Sequence, residues 1–230
     1  MAASRYNRAL AEKRPILLAS LIAALAFFYL RAGPWPELWL IPLKGASVLL
    51  LAIYALVRHK SQDGRLLAVL MTVAAFWAMA DEVDLGAGQV LAFGYYLIAL
   101  LLYLRHRRAS LNPSRKWITL ALLLLPAALL HVVMTGPYAG LIAAAYGLTA
   151  GAAAAAAWTS SFQLYRVGAG AVLVLLSDML GFAAMGPLNG SDIPTIMVWP
   201  LAYLGQFLIA IGVVAVMNKR EPQIRLVSSR

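Results

Sequence analysis

Two carboxylates stand where an apolar sequence has least reason to keep them. Asp81 ends the run Phe76-Trp77-Ala78-Met79-Ala80, just ahead of Glu82 and Asp84, and Asp178 lies inside Val172-Leu173-Val174-Leu175-Leu176-Ser177-Asp178-Met179-Leu180. An ionisable side chain within a membrane span costs about 2.5–3.5 kcal/mol on insertion scales, so it is kept mainly where it faces a protein interior or water and does something there. Two close carboxylates in low dielectric do not both ionise readily at neutral pH, which suits one of them to give a proton and the other to take one. The chain is expected to bring Asp81 and Asp178 together, with Lys44, Tyr203 and Gln206 around them. Lys44 is the one lysine inside an apolar run, and Tyr96, Tyr103 and Ser177 are further polar side chains within such runs. Glu82 is turned about 100° from Asp81 around a helix, so the two do not face one cavity equally.

Each of these residues also has a plainer reading. Asp84, and less comfortably Asp81, can reach lipid headgroups from a helix end, and Lys44 can snorkel to the interface. An aromatic belt accounts well for Trp35, Trp39 and Trp199 and poorly for Tyr96 and Tyr203. Asp178 is too deep for a headgroup contact; its alternatives are a salt bridge to Lys44 or a proton relay.

Composition decides which elements hold these residues. The chain is 63% hydrophobic and 12% charged, far from the roughly one-quarter charged of soluble domains, so it reads as an all-α, polytopic membrane bundle. The net charge of +10 does not indicate nucleic acid, because the basic residues sit in short blocks between apolar runs rather than along one face. There is no cysteine, which excludes disulfides, thiol nucleophiles and cysteine metal ligands. His59, His106 and His131 are isolated from one another, so no metal spacing exists, and no Ser-x-x-Lys, Gly-x-Ser-x-Gly or phosphate-cradling glycine loop occurs. A Schiff-base lysine is absent from every late apolar run. No metal and no cofactor is expected.

At about 20 apolar residues per span, eight spans are expected at 16–32, 38–57, 66–85, 89–104, 117–134, 138–158, 167–186 and 194–217, forming a single transmembrane domain over residues 1–230. The basic start of the chain followed by Ile16 to Leu30 has the form of a signal peptide, but no small-residue cleavage site follows, so it counts as the first span. Lysine and arginine number four before span one, three in 58–65, five in 105–116, one at Arg166 and four after 218, against Arg31 alone on the other side. The positive-inside rule therefore puts both termini in the cytoplasm. On that orientation Asp81 lies about 8 Å and Asp178 about 13 Å below the outer ends of their spans, Lys44 about 9 Å, and Tyr203 and Gln206 about 14–18 Å.

Gly94-Tyr95-Tyr96-Leu97-Ile98-Ala99 and Gly205-Gln206-Phe207-Leu208-Ile209-Ala210 each follow a span with a lone acid, which is consistent with a 4+4 pseudo-repeat and equally with chance in so apolar a chain. Gly136-x-x-x-Gly140, Gly147-x-x-x-Gly151 and alanines 152–157 read as close helix packing. The eight Val, Leu and Phe of span seven supply about 2.4–4.8 kcal/mol toward insertion and Asp178 removes about 3, so that helix needs the bundle.

Five short motifs in this order resemble the lysoplasmalogenase family, the YhhN-like integral membrane proteins of about eight spans. The family pattern has Lys-Pro in span two, Gly-Asp ending span three, Ala-His-x-x-Tyr in span four, Ser-Asp in span seven and Tyr-x-x-Gln in span eight. This chain offers Lys44-Gly45, Ala80-Asp81, Ala99-Leu100-Leu101-Leu102-Tyr103, Ser177-Asp178 and Tyr203-Leu204-Gly205-Gln206, over residues 38 to 212. Gly45 replaces the proline and Leu100 replaces the histidine, which removes a proton carrier or hydrogen-bond partner.

The resemblance implies hydrolysis of the vinyl ether bond of a lysophospholipid to a fatty aldehyde and a glycerophospho-alcohol. Asp81 and Asp178 are the expected catalytic pair, and Lys44, Tyr96, Tyr103, Ser177, Tyr203 and Gln206 the expected substrate-binding residues. The expected partners are the lysophospholipid and membrane lipids, in the bacterial cytoplasmic (inner) membrane. A proton-coupled transporter is the alternative, since buried acids in a pseudo-repeat also describe ion pathways; a non-catalytic lipid-binding protein is the other, which Leu100 favours. The orientation has a direct check: single cysteines placed at Gln62 and Asn112 should be shielded from an impermeant outside label and one at Gly190 should react. Reaction at 62 with protection at 190 would invert the protein in the membrane.

Overall fold

A computed structural model describes residues 14–83, 85–108, 113–134 and 137–228. Its elements are helices: α1 Arg14–Leu30, α2 Glu37–Arg58, α3 Gln62–Val83, α4 Leu85–Leu104, α5 Pro113–Val133, α6 Pro137–Thr159, α7 Ala169–Ala184 and α8 Asp192–Ser228, with a π-helical turn, Leu164–Gly168, leading into α7. Among the described residues seven helices are long and apolar enough to cross a membrane, counting the π turn with α7. The protein is an integral, multi-pass membrane protein.

Helices stand at all eight expected positions, with altered ends. The first apolar helix is shorter than expected: Pro15–Leu30 falls in the range of 10–17 residues, at most about 26 Å, against a hydrocarbon core of about 30 Å. The expected span continued to 32, but the chain leaves the helix at Arg31 in a turn closed by Gly33 N–H donating to Leu30 O at 3.0 Å. Gly33, Pro34 and Pro36 follow, and these residue types do not continue a helix. The break between spans three and four is also shorter than expected, since α4 already begins at Leu85. At the other end α8 outruns its apolar part and reaches Ser228; hydropathy marks where a helix leaves lipid and not where it stops.

The chain divides into two compact units, one of residues 1–92 with 217–230 and one of residues 93–216, so α4 and α8 each supply both. In the first unit α2 packs between α1 and α3. Ser20 Oγ donates to Ser47 O at 2.6 Å in the buried seam of α1 and α2, and Leu51, Leu67, Leu70 and Met71 are fully buried. His59, in the α2–α3 turn, is buried and its Nε2 lies 2.7 Å from Asn218 Oδ1 on the last helix.

In the second unit α5 packs along α6, and α6 meets α7. Pro126 has no N–H for the carbonyl four residues back, and that carbonyl, Leu122 O, lies where a side chain at Gly151 would stand. Gly147 meets Pro126 O in the same way. The Gly147-x-x-x-Gly151 reading as a packing seam therefore holds, while Gly136 lies outside the described residues. Gly170 of α7 and Gly205 of α8 face one another's carbonyls, which brings those two backbones close enough for side chains on either to reach the other helix.

Candidate functional site

In the second unit Asp178 is the centre of a polar cluster. It sits on α7 and is 9% exposed. Its Oδ2 accepts two phenol hydrogen bonds, from Tyr96 Oη on α4 at 2.6 Å and from Tyr146 Oη on α6 at 2.5 Å. Both distances are in the range of charge-assisted O–H···O⁻ bonds. The phenols hold each other as well: the Tyr96 and Tyr146 rings meet edge to face at 5.9 Å, Tyr95 meets Tyr96 at 5.3 Å, and Tyr146 lies 5.2 Å from Phe182. Three helices thus converge on one carboxylate, and the aromatic contacts fix the donors that reach it.

The α7–α8 seam carries the other predicted residues of this unit. Ser177 Oγ donates to Val198 O at 2.8 Å, so its proton ties α7 to α8. Tyr203 is buried in a ladder of rings with Trp199 at 5.8 Å and Phe207 at 6.1 Å. Gln206, three residues on and therefore on the same face of α8, is 3% exposed, and its Oε1 has no hydrogen-bond partner among the described residues. A buried acceptor left open costs about 1–3 kcal/mol, which is tolerable where a ligand or water fills the gap. Tyr103 is fully buried toward the other end of α4, against Phe162 at 6.4 Å, and its Oη is likewise without a hydrogen-bond partner among the described residues.

The first unit holds the other predicted acid and the lysine. Lys44 Nζ bonds Glu82 Oε1 at 2.5 Å, with side-chain exposures of 11% and 42%, and it lies over the Phe27 ring at 5.6 Å. Asp81 is exposed at the end of α3; it accepts a hydrogen bond from the Trp77 side chain one turn back and feels the charge of Lys44. Its carboxylate occupies the place a side chain at Gly88 would need, so the first turn of α4 closes over it. Beyond the end of α1, partial burial pulls the Arg31 guanidinium below its ordinary value, and the negative charge of Glu82 opposes that shift. Asp84 lies outside the described residues.

Two readings change on this geometry. Asp81 is two residues from the end of α3 at Val83 and Asp178 six from the end of α7 at Ala184, about 3 Å and 9 Å rather than 8 Å and 13 Å. The cause is the early helix ends, so Asp81 is at a helix mouth and Asp178 is well inside. Glu82, which helical rotation separates from Asp81, turns out to be a partner of Lys44.

Sequence reasoning missed Tyr146 and had the means to find it. Tyr146 lies nine residues into α6, about 14 Å from its start, too deep for an interfacial belt by the same measure that singles out Tyr96. Gly147-x-x-x-Gly151 and alanines 152–157, which follow it in the same helix, drew attention to packing instead.

The fold and these clusters define a polytopic helical membrane protein with a carboxylate held by tyrosines inside its bundle. A model of the YhhN family matches residues 39–213, from the start of α2 to α8, and the chain belongs to that family, the family of lysoplasmalogenases. No curated protein and no solved structure matches it.

The phenol pair has a measurable worth. Tyr96→Phe and Tyr146→Phe each remove one donor to a buried carboxylate and should lower unfolding stability in detergent by about 1.5–3 kcal/mol. In the Asp178→Asn background the same replacements should cost clearly less, because the charge they serve is gone. Equal costs in both backgrounds would mean that the phenols pack but do not hold the acid.

Proposed function

We propose that the protein is an intramembrane lysophospholipid hydrolase that cleaves the vinyl ether bond of a single-chain lipid, releasing a fatty aldehyde and a glycerophospho-alcohol. The observation that carries this reading is Asp178, buried within a family of lysoplasmalogenases and holding two phenol hydrogen bonds on one oxygen.

The chemistry asks for little beyond acid, base and water. A proton adds to the carbon of the double bond remote from the ether oxygen, which leaves an oxocarbenium ion at the carbon bound to oxygen. Water adds there and loses a proton, and the hemiacetal so formed collapses to the aldehyde and the free glycerol hydroxyl. Glycosidases meet a related cation with two carboxylates. Asp178 suits the basic role, since donors converge on it: a fixed negative charge stabilises the cation and can take the proton of the attacking water. Asp81, beside Lys44 and at a helix mouth, is the proposed proton donor to carbon. Gln206, with its buried open acceptor, and Tyr203 are the proposed contacts to the polar part of the lipid, and Lys44 to its phosphate. Tyr96 is assigned to holding Asp178, and Ser177 to holding α7 against α8.

The location proposed is the bacterial cytoplasmic membrane, with both termini inside. A non-catalytic lipid-binding role is the second reading, favoured by Leu100 where the family pattern has histidine.

The experiment is aldehyde release by purified protein from a vinyl ether lysolipid, with the ester-linked lysolipid as control. Asp178→Asn and Asp81→Asn keep size and hydrogen-bonding capacity but cannot exchange the proton, so each should lower turnover by about 100-fold or more. Full activity in both variants would exclude the two-acid mechanism, and a wild-type protein inactive on vinyl ether lysolipids would leave the lipid-binding reading.

A further inference from the structure

The reaction as described leaves Tyr103 without a role, and Tyr103 belongs to a second polar group of the same unit. The chain between α6 and α7 folds against the end of α4: Ser161 N–H donates to His106 O at 2.6 Å, Arg108 N–H to Thr159 O at 3.3 Å and the Arg108 guanidinium to Phe162 O at 3.3 Å. Phe162, 2% exposed, meets both the Tyr103 ring at 6.4 Å and the His106 ring at 4.7 Å. The π-helical turn Leu164–Gly168 follows at once, with Gln163 O accepting from Val167 N–H at 2.9 Å. Its Gly168 lies so close to Trp158 and Leu164 that a side chain there would touch both. Tyr103, Trp158 and Gln163 are therefore packed into one knot at the end of α4, around a kind of turn that is rare and found mostly at functional sites.

Three polar atoms of this knot are open. Tyr103 Oη, Trp158 Nε1 and Gln163 Oε1 are each buried and have no hydrogen-bond partner among the described residues, and Tyr103 as a whole is 1% exposed. Polar groups beside them are bonded: Ser160 Oγ donates to Ala157 O at 2.7 Å and accepts from Phe162 N–H at 3.3 Å. Each open atom costs the fold the desolvation of a polar group, and three around one turn point to a small molecule that meets them. The set is one donor, one acceptor and one hydroxyl that is both. None of the three is charged, so the set does not suit an ion. The molecule that donates to Gln163, accepts from Trp158 and does either with Tyr103 is water, which settles in buried sites with about two to four polar partners.

The knot is linked to Asp178 along α4. Tyr96 and Tyr103 are two helical turns apart, and so lie on one face about 10 Å from each other. Tyr95, whose ring meets that of Tyr96 at 5.3 Å, feels both Asp178 and Tyr103. Phenols thus run from the buried carboxylate to the knot. Closing a site over its substrate expels water, and a lipid lying against Asp178 fills the space through which water would come, yet hydrolysis consumes a water molecule in every turnover. We propose that the knot of Tyr103, Trp158 and Gln163 holds internal water that exchanges with solvent beside the half-buried His106 and passes along the phenols of α4 to Asp178, where hydrolysis consumes it. The use of the water rests on the hydrolase reading; its presence rests on the three open atoms alone.

Presence is tested by X-ray radiolysis of the full chain in lipid nanodiscs prepared in heavy-oxygen water, followed by peptide mass mapping. A bound water split in place adds its oxygen to the side chain beside it, whereas a dry buried ring stays unmarked. Tyr103 and Phe162 are expected to be marked at a rate close to that of Tyr165, which is 67% exposed, while Phe27, 3% exposed, and the fully buried Met71 are not. Gln163→Leu and Tyr103→Phe, which keep side-chain bulk, should lower the marking of Phe162 severalfold, and Tyr165→Phe should leave it unchanged. Aldehyde release reads the use: in both knot variants kcat should fall severalfold with KM for the vinyl ether lysolipid unchanged. Tyr103 and Phe162 as slow to mark as Phe27, with a melting temperature raised in Tyr103→Phe as for relief of a dry phenol, would overturn the proposal. Loss of marking with kcat unchanged would overturn the supply role, and a raised KM with kcat unchanged would make Tyr103 a lipid contact and overturn it as well. Marked rings in a protein that releases no aldehyde would uphold the water and overturn the hydrolase reading instead.

Discussion

A carboxylate inside an apolar helix has to be met by donors, and in this protein that requirement links three helices. Asp178 alone would cost α7 about 3 kcal/mol of insertion free energy. Two charge-assisted hydrogen bonds, at about 1.5–3 kcal/mol each, are of the size needed to offset that cost. The donors come from α4 and α6, so the acid is affordable only once those helices are in place. The close backbones of the unit serve the same end. Gly170 and Gly205 let α7 and α8 approach until Ser177 reaches Val198 O, and Gly147 and Gly151 seat α6, the helix that carries Tyr146, against α5.

The ionic group of the first unit obeys a different balance. Lys44 and Glu82 form a close pair, but Glu82 is 42% exposed, and a pair open to solvent is worth little to stability, on the order of 1 kcal/mol or less. Nothing in stability demands two cations and two carboxylates at the end of α3.

The sequence made the helices legible because insertion depends on composition averaged over about 20 residues, a quantity that one chain displays by itself. Helix ends were less legible. The end of α1 at Leu30 fell short of the expected 32 although Gly33, Pro34 and Pro36 stand just beyond it, and the extension of α8 to Ser228 and the π turn at Leu164–Gly168 carry no mark in the apolar pattern. Asp178 was visible as an anomaly of depth, and its neighbour Ser177 as part of a motif. What could not be read was which side chains meet. Lys44 and Glu82 are 38 residues apart and Tyr146 and Asp178 are 32 apart, and such partners are chosen by packing. Depth offered the only clue, and it applied to Tyr146 as well as to Tyr96.

The claim that joins fold to chemistry is that an acid in the membrane delivers a proton to carbon, and the product keeps a record of that event. Turnover of a vinyl ether lysolipid in heavy water, with the aldehyde trapped by reduction within seconds of release, measures it directly. Proton transfer to carbon predicts one solvent deuterium on the carbon next to the former carbonyl in every product molecule, and a slower rate in heavy water than in light. Aldehyde released without deuterium at that carbon would contradict the account, because the double bond would then have been opened by some route other than protonation.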